Sequence, residues 1–155
     1  MKKFIIQGGG GMTAKEYLSQ LRRLNVVINN KIKELDELRA VSGCVSGIDY
    51  SADKVQVSPK ARGNFENIIE RIIILGQDIN KEIDDYVDIK HKIINQINGL
   101  NDYRYVEVLY KKYVEFKRFE EVAVDMNYTY QYTIELHGYA LNNFYKTYKN
   151  LLNSI

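Results

Sequence analysis

The residues of this chain whose types could carry catalysis or hold a metal are two histidines, one cysteine and several clustered carboxylates. Cys44 would be a nucleophile only beside a base, and neither His91 nor His137 sits in a recognisable partner motif, so Cys44 reads as an inert thiol of a reducing compartment. Asp84-Asp85 and Glu120-Glu121 are adjacent, and neighbours on a helix point to different faces, so neither pair makes a local acid–base dyad. Glu82, Asp85, Asp88 and His91 recur at helical spacing, as ligands in a bundle metal site do. No matching acidic set occurs on the other long apolar-periodic segment, and a solvated face is the better reading. The sequence therefore predicts no enzyme, no metal and no cofactor.

A second group fits recognition. Thr129, Tyr130, Gln131, Ile134 and Glu135 fall on the first turns of one helical stretch, and Lys117, Arg118, Lys146 and Lys149 lie on its flanks. A glutamine amide can pair bidentately with adenine, a glutamate can accept from the cytosine amino group, and Lys and Arg neutralise phosphates. The preceding residues meet the demands of a helix-turn-helix in order. Ala123, between Val122 and Met126, is small enough for a helix crossing; Asn127 tolerates a left-handed turn; Thr129 can cap the next helix. The inner face of that helix would be Tyr132 or Thr133, then Leu136, Ala140 and Phe144. Charge argues the other way. No Lys or Arg lies between Arg118 and Lys146, while Glu120, Glu121, Asp125 and Glu135 give the stretch a charge of −4, which repels phosphate. A protein-binding module whose tyrosines simply pack is the alternative.

The runs Leu109-Tyr-Lys-Lys-Tyr-Val, Phe119-Glu-Glu-Val-Ala-Val-Asp-Met-Asn-Tyr and Leu136-His-Gly-Tyr-Ala-Leu141 resemble region four, the promoter-reading end, of bacterial sigma factors. From Met12 onward, with Met-Thr-Ala-Lys-Glu-Tyr-Leu at 12–18, the chain is similar to a family of phage and prophage proteins described as sigma-factor-like transcriptional regulators. Members of that family usually carry Arg or Lys on the recognition helix, which this chain lacks. The resemblance implies transcription regulation, with double-stranded promoter DNA as one partner and RNA polymerase or another host protein as a second. Nothing resembles a sigma factor's main core-binding and promoter-melting region, so a complete sigma factor is not expected.

The elements that must position these residues are helical. One proline in 155 residues and long Leu/Ile/Lys/Glu runs predict an all-α chain. Thr13-Ala-Lys-Glu16 has the spacing of a capping box and opens a helix over about residues 14–41, with a seam at Leu18, Leu21, Leu24, Ile28, Ile32, Leu35 and Leu38. Residues 42–64 hold three glycines and the proline and read as a long loop, functional or disordered, in which Lys54-Val-Gln-Val57 alternates like a strand without a partner. A second seam runs through Phe65, Ile69, Ile72, Ile79, Ile83, Tyr86, Ile93, Ile97 and Leu100. The two helices predict an antiparallel coiled-coil-like hairpin over residues 13–100. Ile68, Ile73, Ile74, Ile89 and Ile94 widen its seam, enough for the C-terminal module or a second copy of the chain to pack there.

Asn98-Gly99 is a turn signal, and beyond it ten of the thirteen tyrosines lie between Tyr103 and Tyr148, marking a module over 101–155. Asp102 can cap a helix with Tyr105, Val106, Leu109, Tyr110 and Tyr113 on one face and Lys111 and Lys112 on the other. Residues 1–12 predict a flexible leader: Gly8 to Gly11 lack the context of a phosphate loop, and Met12 is the expected natural start, a plain linker being the alternative. The net charge of +2 names no partner by itself, and Phe4-Ile-Ile6 is too short for a signal peptide, so a cytoplasmic, membrane-free protein is expected.

Overall fold

The computed structural model describes residues 12–46 and 59–154. Residues 1–11 of the expected leader, the Lys54–Val57 alternation and the side chain of Cys44 lie outside what is described, whereas Met12, counted with the leader, is tied to Leu152 through its N–H. The chain is all-α: helices α1 (Ala14–Ser46), α2 (Pro59–Asn98), α3 (Tyr103–Tyr113), α4 (Phe119–Asp125) and α5 (Tyr130–Asn153), with no strand among the described residues. The loop expected over 42–64 is too long at both ends, because α1 continues to Ser46 and α2 already begins at Pro59. Proline fits there because the first helical positions need no N–H donor, and isolated glycines such as Gly43 and Gly63 are tolerated within a helix.

By packing, the chain divides into two compact units. One comprises residues up to Arg23 with Val87–Ile155, the other Leu24–Tyr86, and α1 and α2 contribute to both.

In the first unit the capping box at the start of α1 is complete. The Thr13 N–H donates to Glu16 Oε2 at 2.9 Å, and the Glu16 N–H donates to Thr13 Oγ1 at 3.2 Å. The seam residues Leu18 and Leu21 of α1 and Ile93 and Ile97 of α2 are fully enclosed together with Val108, Leu109, Val122, Phe144 and Leu152. Burying each such side chain is worth roughly 1.5–3 kcal/mol, so this apolar set is what holds the unit together. Polar contacts fix its register. The Tyr17 hydroxyl donates to Gln96 Oε1 at 2.9 Å, the Tyr148 hydroxyl donates to Gln96 O at 2.8 Å, and the Met12 N–H donates to Leu152 O at 3.2 Å. At Tyr148 the helix α5 is kinked (φ −114°, ψ 22°), and its ring lies 4.9 Å from Phe144.

The second unit pairs the remaining lengths of α1 and α2. Ile28, Leu35 and Ile79 are buried, Lys31 pairs with Glu82, and Arg71 lies 3.9 Å from Glu34, so the pairings run antiparallel. Ile32, Ile69 and Ile83, expected in the seam, are 36%, 36% and 37% exposed. A straight helix drifts against a repeat of 3.5, and one partner cannot cover every seam position. Ile73 and Ile74 of the widened seam are more exposed still.

Candidate nucleic-acid interface

Helix α3 begins at Asp102, whose carboxylate accepts the Arg104 N–H at 2.9 Å and also holds the Arg104 guanidinium at 2.8 Å. The bond to Arg104 pulls the Asp102 carboxyl below its usual range and raises Arg104. Val108, Leu109 and Tyr113 are its buried face; Tyr105, Val106 and Tyr110 are half-buried. Helix α4 begins with the Arg118 N–H donating to Glu121 Oε2 at 2.7 Å.

Between α4 and α5 the backbone turns as the sequence requires. Asn127 takes φ 54°. Its N–H donates to Val124 O at 3.2 Å and the Tyr128 N–H donates to Ala123 O at 2.9 Å, the two bonds of a Schellman motif. Asparagine serves where glycine is the commoner choice because its short polar side chain tolerates the left-handed region. Thr129 then caps α5, with Oγ1 accepting the Tyr132 N–H at 3.2 Å. Thr133, Leu136, His137, Ala140 and Phe144 face inward. Thr133, not Tyr132, is the inner residue; Tyr132 is 38% exposed and stacks edge-on against Tyr128.

This geometry gathers part of the expected contact set. Tyr130, Gln131, Ile134 and Glu135 are exposed on the first turns of α5, beside the Thr129 cap. Lys146 and Lys149 are exposed on the same helix, but Gln131 and Lys146 are separated by roughly 22 Å of helix at about 1.5 Å per residue. Arg118 is exposed near its Glu121 partner, 3.8 Å from Nε. Lys117 is already engaged: its ammonium lies 2.6 Å from Asp125 and 2.9 Å from Glu115, and Lys111 adds a contact to Asp125 at 3.4 Å. These bonds, that to Lys117 first, lower the Asp125 carboxyl and raise Lys117. The −4 of this stretch is thus partly compensated within the fold, while Lys117 would have to leave two carboxylates to meet a phosphate.

Sequence reasoning missed two features. Arg104 brings a cation to the start of α5, its Nη1 donating to the Tyr132 hydroxyl at 3.5 Å. The second is a cleft of about 390 Å³ within the first unit, lined by Lys15, Ser19 and Arg22 of α1 with Lys112, Tyr113, Phe116, Phe119, Ile134 and His137. The spacing of Lys15, Ser19 and Arg22, four and then three residues, puts them on one helix face and was a legible signal. Lys112, expected on an outward face, is half-buried: its ammonium lies 4.2 Å over the Phe119 ring and donates to Lys117 O at 3.2 Å. Burial, then the charges of Arg22 and Lys15, push Lys112 down, against a smaller opposing pull from Glu120 and Glu121. Phe116 has φ 59°, strained for an aromatic residue. His137 is buried, and burial, followed by the charges of Lys112 and Lys15, lowers it to about 4.

No helix among the described residues is long and apolar enough to cross a membrane, and no group of three or more potential metal ligands comes together among them. No family model, curated protein or solved structure matches the chain.

Proposed function

We propose that the chain is a transcription regulator of the phage, sigma region-four-like type, contacting promoter DNA through α4 and α5. One observation carries this reading: a short helix, an Asn127 turn at positive φ, and a Thr129-capped helix that presents Tyr130, Gln131, Ile134 and Glu135 to solvent while Thr133, Leu136 and Ala140 are buried. In such a module the outward residues of the second helix read base edges and the flanking cations position the backbone. Gln131 and Glu135 are the base-reading candidates, with Arg118, Lys146 and Lys149 on phosphates. The test is a fluorescence anisotropy titration of the full chain against labelled genomic duplexes. Selection of one sequence, relaxed at a single base pair by Gln131→Ala, supports the reading; uniform weak binding that Gln131→Ala leaves unchanged contradicts it.

A second reading is favoured by a different observation. Phe65, Ile69, Ile73 and Ile74 line one shallow apolar surface of α2, with Ile73 and Ile74 about half exposed, and such a surface suits a protein partner such as RNA polymerase, another host protein or a second copy of the chain. In its stronger form the chain grips a protein and binds no DNA. Recovery of one partner from nuclease-treated lysate, with no duplex binding at low salt, would establish that form.

A further inference from the structure

We propose that the cleft between α1, α3, α4 and α5 of the first unit is a binding site for a small organic anion with a flat apolar body, such as an aromatic phosphate or carboxylate. The proposal does not depend on the DNA reading. Lys15, Arg22 and Lys112 line the cleft, and no carboxylate is among its lining residues. Three cations held together without a lining counter-charge raise the local concentration of anions and repel one another until one arrives. Glu120 and Glu121 act on Lys112 from α4, more weakly than Arg22 does in the case of Glu120 and more weakly than Lys15 in the case of Glu121. They lower the positive potential without filling the cleft.

Charge alone would suit any phosphate. The rest of the lining is selective. Phe116, Phe119 and Ile134 supply apolar walls, and about 390 Å³ is far more room than a bare inorganic anion needs and suits a small ring carrying an anionic group. Two details indicate a built site. The Lys112 ammonium is fixed over the Phe119 ring and bonded to Lys117 O, so little side-chain freedom remains to be lost on binding. The Phe116 side chain reaches the cleft from a left-handed backbone conformation that phenylalanine rarely adopts, and strain of this kind persists where the surroundings over-determine it. His137 adds a polar group to the lining. Its Nε2 is the partner of the buried Tyr113 hydroxyl at 2.9 Å; when that hydroxyl donates, the neutral ring carries its proton on Nδ1, which has no partner among the described residues.

The test is a ¹H–¹⁵N and methyl NMR titration of the full chain with phenyl phosphate, inorganic phosphate and benzyl alcohol. Phenyl phosphate is expected to shift the Ile134 methyl and the amides around Lys112 and Phe119, saturating at least about tenfold below either of the others. Lys15→Gln with Arg22→Gln, two exposed substitutions outside the proposed DNA-contact set, should weaken phenyl phosphate at least about tenfold while leaving the melting temperature unchanged. Phe116→Asn, which tolerates positive φ, should abolish the preference for phenyl phosphate over inorganic phosphate without unfolding the protein. Absence of saturable shifts, equal affinity for inorganic phosphate, or full binding by the double variant would each overturn the proposal.

Discussion

The Tyr113 hydroxyl lies 2.9 Å from His137 Nε2, and this contact joins α3 to the inner face of α5. The two rings are also stacked at 5.7 Å, and Phe119 meets the imidazole edge-on at 4.9 Å. Burial raises the tyrosine, so its hydroxyl stays protonated and is the natural donor to a neutral imidazole.

Because His137 falls from 6.5 to about 4 in the fold, the unfolded chain binds the extra proton first as pH drops. Its contribution is fully present above about pH 6.5 and is lost progressively down to about pH 4, stability rising with pH across that window. The whole effect is on the order of 3 kcal/mol. Urea unfolding of the wild type between pH 5 and 7 should show this slope. His137→Phe should flatten it, at a neutral-pH cost of about 1–3 kcal/mol for leaving the Tyr113 hydroxyl unpaired. An unchanged slope in the variant would mean that His137 is not the group being titrated.

The end of α2 offers a packing test. A Cβ added to Gly99 would lie 2.7 Å from the Tyr148 hydroxyl, which donates to Gln96 O. Gly99→Ala is expected to displace that hydroxyl and cost about 1 kcal/mol, and to cost less in a Tyr148→Phe background. Gly138, whose added Cβ would meet nothing within 4 Å, behaves oppositely: Gly138→Ala should stabilise by about 0.5–1 kcal/mol. Thermal melts of the four variants settle the comparison.

The turn before α5 depends on backbone conformation. Asn127→Gly should be neutral or stabilising, whereas Asn127→Val should cost at least about 1–2 kcal/mol, since a β-branched residue resists positive φ. Thr129→Ala should cost about 1 kcal/mol through loss of the cap. Chemical denaturation measures all three, and an Asn127→Val protein as stable as the wild type would mean that the turn has another geometry.

Much of this was legible in sequence because it depends on local chemistry. The Thr13 box, the Asp102 and Thr129 caps and the Asn127 turn are set by residues within a few positions of one another, and the seams through Leu18, Leu21, Ile93 and Ile97 follow helical periodicity. The helical stretches 42–46 and 59–64 were not legible, since glycine and proline weaken a helix without deciding where it stops. The division at Arg23 and Tyr86 was equally hidden, because it depends on which length of each long helix meets the C-terminal helices. The cleft was missed for the same reason: Lys15 and Arg22 are about 90 residues from Lys112 in sequence, and only the fold places them around one space. Lys117 was expected as a flanking phosphate contact, and its bonds to Glu115 and Asp125 depend on the local fold around α4.

The central claim, that α4 and α5 meet duplex DNA, is tested most directly by the salt dependence of binding. The full chain, Arg118→Ala with Lys146→Ala, and Glu135→Lys would be titrated by anisotropy against one genomic duplex at several salt concentrations. Each phosphate contact contributes about 0.9 to the slope of log affinity against log salt. The account predicts measurable wild-type binding, a slope shallower by about two units in the double variant, and tighter non-specific binding by Glu135→Lys, which exchanges an exposed anion for a cation. No wild-type binding even at low salt, with binding gained only by Glu135→Lys, would contradict it and leave the protein-partner reading standing.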